Sequence, residues 1–139
     1  MSALAFTAAN IRALTSQGAV TRPGSAGATV TIGQAVYRHT DGTYKPSDSD
    51  ASKAASEAIG IAVESYDGET TIASGSAMTV CVWGPVAGFT SLTPNALGWV
   101  SDTAGSIDTA AGTFDRILGY AESATVFFVN PDINDPSSA

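Results

Sequence analysis

Catalysis needs groups that move protons, attack or hold a metal, and this sequence supplies few of them. His39 is the one histidine and Cys81 the one cysteine among 139 residues, so neither an imidazole pair for a metal nor the usual spread of base and ligand is available. His39 stands in "YRHTDGTY" beside Asp41-Gly42, where a solvated hairpin residue is expected. A Ser-His-Asp arrangement would lack the G-x-S-x-G turn that exposes a nucleophile. Cys81, flanked by Thr79, Val80, Val82 and Trp83, reads as a small buried apolar residue of a strand.

The carboxylates lead to the same place. "SDSD" at Ser47 to Asp50 could offer oxygens to calcium, but the Gly and late Glu of a calcium loop are missing, so turn or helix-cap roles are expected. Glu64 and Glu122 would be the pair for a glycosidase; at strand ends they are expected to face solvent or to pair with Arg38 or Arg116. "GSAG" at Gly24 to Gly27 is followed by no Lys-Ser/Thr pair and no helix start, which leaves a flexible joint and not a phosphate cradle. No catalytic residue, no metal and no cofactor is predicted.

The elements that would position any site come from the rest of the chain. Its length suits one domain with its own core. With 44% apolar and 14% charged residues it is too apolar for disorder and too interrupted for a membrane span. Thirteen acidic against six basic residues give a formal charge of −7, which repels phosphate backbones. Neither nucleic acid nor membrane is an expected partner. "MSALAFTAAN" lacks a basic n-region and a continuous apolar run, so synthesis in a cytoplasm is expected.

Residues 1–28 carry Phe6, Ile11, Leu14 and Val20 too sparsely for a core, with Pro23, Gly24 and Gly27 as interruptions, and read as an extended arm. From Thr29 two β-branched or aromatic runs flank Asp41-Gly42, a hairpin signal because both residues tolerate positive φ. "PSDSDASKAASEA" reads as a loop with some helical turn. "AIGIAVES" is a strand, Asp67-Gly68 a turn, and "AMTVCVWG" a strand apolar on both faces and therefore central. "GWVSD", "RILGYAES" and "TVFFVNP" are further strands; in the last, Val126 and Phe128 face one way, Phe127 and Val129 the other, so it lies mid-sheet or under a neighbouring subunit. The prediction is an all-β domain over 29–131, a small β-sandwich or barrel whose immunoglobulin-like, barrel-like and tulip-like forms the pattern does not separate, with a flexible tail over 132–139.

One phrase occurs twice. "IGIAVES" at Ile59 is echoed by "LGYAES" at Leu118, each preceded by a Gly-containing strand and a Gly-containing turn, "IGQAVYRHTDGTY" and "LGWVSDTAGSI". A duplicated β unit would explain this, with Gly60 and Gly119 allowing close backbone approach and Ala62 and Ala121 filling a crowded interior.

These segments, in this order from about Thr29 to Pro131, resemble the capsid decoration, or cement, proteins of tailed bacteriophages. Gly33, Val36, Tyr37, Asp41, Gly42, Asp48, Gly60, Ile61, Ala62, Gly98, Val100, Ser101, Gly105 and Gly119 stand at matching places; Trp83 and Trp99 are heavier than the pattern. The resemblance implies a homotrimer on the outer surface of the virion head, made in the host cytoplasm, that locks neighbouring copies of the major capsid protein together. It implies capsid contacts by an arm carrying Phe6, Ile11, Arg12 and Leu14, and trimer or capsid contacts by Trp83, Phe89, Trp99, Phe127 and Val129. An acidic protein suits the outside of a head better than the DNA-filled inside. The rival readings are a phage head or tail fibre domain, and a carbohydrate-binding module in which Trp83, Trp99 and Tyr120 stack on sugar rings.

Overall fold

No charged residue lies between Glu69 and Asp102, and from this stretch grows the strand on which the molecule is organised. In the computed structural model, which describes residues 3–131, that strand is β9 (Ala77–Ala87), the longest of the chain. Before it come β1 (Ala5–Phe6), β2 (Arg12–Ala13), β3 (Val20–Ser25), β4 (Val30–Thr31), β5 (Ala35–Arg38), β6 (Tyr44–Pro46), β7 (Gly60–Ser65) and β8 (Thr71–Ile72). After it come β10 (Phe89–Thr90), β11 (Leu97–Val100), β12 (Ile107–Asp108), β13 (Ile117–Ala121) and β14 (Val126–Val129). Helix is limited, among the described residues, to two single 3-10 turns, Ala8–Asn10 and Thr15–Gln17, and α1 (Lys53–Ser56). The expected tail, 132–139, lies outside the described residues.

The protein is all-β. Its main sheet runs β12-β11-β13-β14-β9-β7-β5-β6, antiparallel throughout, and curls into half a barrel. The first half of β9 lies between β7 and β3 and its second half between β14 and β2. β9 is therefore central, as its two apolar faces require, and β14 lies mid-sheet between β13 and β9.

The echo in the sequence is an echo in the fold. The sheet divides into two four-stranded units of the same order, β6-β5-β7-β9 and β12-β11-β13-β14. Gly60 and Gly119 hold equivalent places in them: a Cβ on Gly60 would strike the carbonyl oxygen of Cys81 in β9, and one on Gly119 that of Phe128 in β14. Strand backbones approach too closely there for any side chain. The longer phrase has one extra residue, Val63, and the β7–β9 register slips between Ala62 and Glu64. Val63 is thus taken up as a β-bulge, which leaves both Glu64 and Glu122 exposed. The match does not extend to Gly33 and Gly98, because Gly33 sits in the turn before β5 whereas Gly98 lies within β11, opposite Gly119.

The far hairpins of the two units are tied to each other by polar groups. Ala35 N donates to Gly105 O (2.9 Å), Gly105 N to Ser47 O (2.7 Å) and Ser49 N to Ser101 O (2.8 Å). The buried Ser49 hydroxyl accepts from Phe114 N (2.8 Å) and donates to Phe114 O (3.0 Å). Arg116, almost wholly buried, meets Glu57 Oε2 at 3.0 Å. Inside, Phe89 is packed between Phe6 (ring centroids 5.8 Å) and Phe127 (5.7 Å). Fully burying a side chain of this class contributes about 1.5–3 kcal/mol.

Of the extended arm expected over 1–28, the described residues 3–28 lie against the domain: they form short strands and two 3-10 turns, β1 pairs with β10, β2 and β3 pair with β9, and Ile11 belongs to the core. Apolar spacing misses such a segment because its attachment is by backbone: all six residues of β3 are in register with β9 although most face solvent. Gly24 to Gly27 is likewise no loose joint, since Ala26 is buried and bridges Tyr44.

Candidate interaction surface

The outer row of the second unit starts from the alternation of β14. Phe127 and Val129 turn inward and are fully buried, so Val126 and Phe128 turn outward. Phe128 lies opposite Tyr120 of β13 and Pro85 of β9, and Tyr120 lies opposite Leu97 of β11. Tyr120 and Phe128 stack (5.2 Å, 19°), and Trp83 packs edge-on against Phe128 (4.9 Å, 82°). Beyond Trp83 the register adds Val20 of β3. Val20, Trp83 and Leu97 keep 48%, 45% and 43% of their surface in solvent, an unusual position for large apolar groups that lie side by side.

This face carries no charge. β9, β11, β13 and β14 contain no Asp, Glu, Lys, Arg or His. Among the described residues the acidic groups lie elsewhere, at turns, at strand ends and at the end of α1. Such a surface cannot steer a charged ligand or transfer a proton. It can offer rigid aromatic anchors to another apolar surface, the usual composition of an interface core.

The residues predicted as contacts are therefore divided. Trp83 is exposed at the centre of the row, and Trp99 is half-buried, opposite Asp108 and Ile117, without a ring contact to Trp83 or Tyr120. Phe89, Phe127 and Val129 are core residues and cannot be contacts, because their side chains have almost no solvent-accessible surface. Of the arm residues, Ile11 is buried, Phe6 packs on Phe89, and Leu14 is half-buried with its N–H donating to Pro85 O. Arg12 alone of the four projects from the body, held to Asn10 O at 3.3 Å. Phe128, Leu97 and Val20 were missed as surface residues. The signal for Phe128 was Gly98: a Cβ there would meet the ring of Phe127 at 2.5 Å and Ile107 Cγ2 at 2.9 Å, so the glycine marks Phe127 as the inner ring and leaves Phe128 outside.

The groups with chemical potential are dispersed. His39 is 3.3 Å from Asp41 on the β5–β6 turn, where hydrogen bonds from Thr43 hold the Asp41 carboxyl down to about 2. Asp48 accepts from Asp50 N (3.2 Å) in an Asx turn, Ser52 caps α1 through Ala55 N (3.0 Å), and the neighbouring Asp48 raises the Asp50 carboxyl. Burial raises the Cys81 thiol. Arg116 pairs with Glu57, and Arg38 donates to Gly42 O and Tyr44 Oη. A cleft of about 250 Å³ lined by Arg12, Thr15, Thr21, Glu64 and Thr79 is smaller than ordinary ligand sites. Among the described residues no group of three or more His, Cys, Asp or Glu could hold a metal ion, and no helix is long and apolar enough to cross a membrane. No protein-family model matches the chain, and no curated protein matches it.

Proposed function

We propose that this chain is a structural virion protein, a decoration or cement protein that binds the outer surface of a tailed-phage icosahedral head and clamps neighbouring major capsid subunits without an enzymatic step. The observation that carries this reading is the uncharged aromatic row Val20–Trp83–Phe128–Tyr120–Leu97, displayed on a rigid sheet. Rigid aromatic residues bind with little loss of side-chain entropy, as a clamp requires. The resemblance to cement proteins supports it further, since its motif glycines Gly60 and Gly119 occupy equivalent places in both units. So does the net charge, which suits a surface facing away from packed DNA.

A carbohydrate platform fits less well. Tyr120 and Phe128 give their ring faces to each other, whereas a sugar needs an open ring face with polar groups around it.

The test is co-sedimentation of the intact protein with expanded heads of its own phage that lack it. Saturable binding near one copy per major capsid subunit is expected, and it should weaken with Arg12→Glu, which alters an exposed residue. Deleting the first residues would be a poorer test, because it strips Phe6 and Ile11 from the core. Absence of binding would overturn the reading and favour the fibre or glycan alternatives.

A further inference from the structure

We propose that Tyr66, on the connection between β7 and β9, is the stacking platform of a shallow binding site for a neutral sugar ring. The inference goes beyond the shell-binding reading and does not depend on it.

The site starts from a difference between the two units. Strands β13 and β14 are joined by residues 122–125, whereas their counterparts β7 and β9 are joined by residues 66–76. The echoed phrase continues Glu-Ser-Ala in the second unit, ending at Ala124, and Glu-Ser-Tyr in the first, ending at Tyr66. The sheet therefore closes without the longer connection, and extra loops on a rigid scaffold are where binding groups concentrate. This loop is firmly held: Ile72 is buried and pairs with Val30, Ile32 N donates to Thr70 O (2.9 Å), and Gly75 N donates to Ala26 O (2.7 Å).

From that base Tyr66 projects with 73% of its surface in solvent. Among the described residues its ring meets no other aromatic ring. It forms an open hollow of about 350 Å³ with Gly75, Ser76 and Ala77, whose small side chains leave the ring face uncovered. A second hollow, of about 130 Å³, shares Tyr66 and Ser76 and adds Asp67 and Thr71. Asp67 is fixed by one oxygen, Oδ1, which accepts from Ser65 Oγ and from Glu69 N at 3.1 Å each. Its other oxygen and the hydroxyls of Thr71 and Ser76 bond to no protein group among the described residues. An uncovered aromatic face bordered by unused polar groups suits a pyranose, whose C–H face rests on the ring while its hydroxyls bond at the border. Tyr120 and Phe128, closed on each other, lack that arrangement.

The surroundings select the class of ligand. A protein anchor is ringed by contacts that exclude water, but the other exposed residues of 66–76 are small or polar. An anionic ligand is disfavoured, because 66–76 carries Asp67 and Glu69 and no basic group. What remains is a neutral, hydroxyl-rich ring. So small a ligand binds weakly, on the order of 1 mM, and the use of such a site lies in repetition: copies arrayed on one particle hold it to a glycan-covered surface.

The intact protein is titrated with the methyl glycosides of glucose, galactose, mannose and N-acetylglucosamine to about 50 mM and followed by amide NMR. At least one of them should shift the amides of Tyr66, Asp67, Gly75, Ser76 and Ala77 with a dissociation constant on the order of 1 mM. The methyl glycoside of glucuronic acid should shift none. Tyr66→Ala should abolish the shifts while leaving the thermal midpoint nearly unchanged, since the side chain is 73% exposed. Tyr66→Phe keeps the ring and should hold affinity within about threefold, whereas Ser76→Ala should weaken it by about threefold or more. No shift with any neutral glycoside, shifts that survive Tyr66→Ala, or shifts centred on Trp83 and Phe128 would overturn the proposal. Equal binding of the glucuronic acid glycoside would overturn the assignment to a neutral sugar. Neither result bears on co-sedimentation with heads, which reads a different face.

Discussion

The two four-stranded units share strand order and their closest backbone approach, yet they differ in what lies outside them. In β6-β5-β7-β9 nearly every residue of β7 is buried, from Gly60 to Val63, and Val36 opposite Gly60 is buried too. In β12-β11-β13-β14 the inner row of Phe127, Val129 and Ala121 is just as dry, but Leu97, Tyr120 and Phe128 keep contact with solvent. Small residues that fix strand spacing are common to both units; large residues that decide what touches the sheet are not. Repetition in this chain preserves a backbone, and function is free to enter at the bulky positions between the glycines.

The sharpest way to break the comparison is to remove the two adjacent rings of β14 in turn. Phe127→Ala should cost about 3–5 kcal/mol by opening the core, whereas Phe128→Ala should cost much less in urea unfolding and act mainly on binding to heads. Equal costs would show that the second unit has no outer face. Next come the matched glycines. Gly60→Ala and Gly119→Ala each drive a methyl group into a partner-strand carbonyl, and both should lower the unfolding free energy from urea titration by a similar amount, about 2–3 kcal/mol. A tolerated Gly119→Ala beside an unfolded Gly60→Ala would end the structural equivalence.

A smaller effect is expected where the units are fastened. Ser49→Ala removes the acceptor of Phe114 N, while Phe114 O keeps its bond from Arg116 N, a loss of about 1–2 kcal/mol measurable by thermal melting. The smallest concerns the turns. Asp41 is held down to about 2 from an ordinary 3.8 by Thr43, so the native state favours its charged form. That contribution is complete above the ordinary value and is lost as the pH falls toward 2. Acid unfolding should therefore show a pH dependence in this range that Asp41→Asn flattens; an unchanged profile would mean that the turn adds nothing to the first unit.

Much of this was readable in the residues and some was not, for physical reasons. The all-β class, the hairpin around Asp41-Gly42 and the centrality of β9 followed from turn chemistry and two-sided apolar alternation. The echo pointed correctly to a doubled unit, although Gly33 was matched to Gly98 three residues out of register, since small residues align almost anywhere. The phase of β14 was not decidable from "VFFV": both rows are apolar, and only the cross-strand demand of Gly98 selects Phe127 as the inner ring. Attachment of residues 3–28 was invisible because it is made by main-chain hydrogen bonds, which no side-chain pattern reports.

The spine strand also sets when the molecule can come together. β9 is bordered by partners from the beginning, the middle and the last described strand of the chain, and Ser49 waits for Phe114, 65 residues downstream. Most native contacts thus join distant residues, which makes for slow folding through states with unpaired strand edges. During synthesis the first half of the chain can form hairpins but cannot close its sheet. Until β14 emerges, one half of β9 remains an open edge, and that half borders the residue Trp83, so the interval before completion is when this protein is most exposed to misassembly with its own copies.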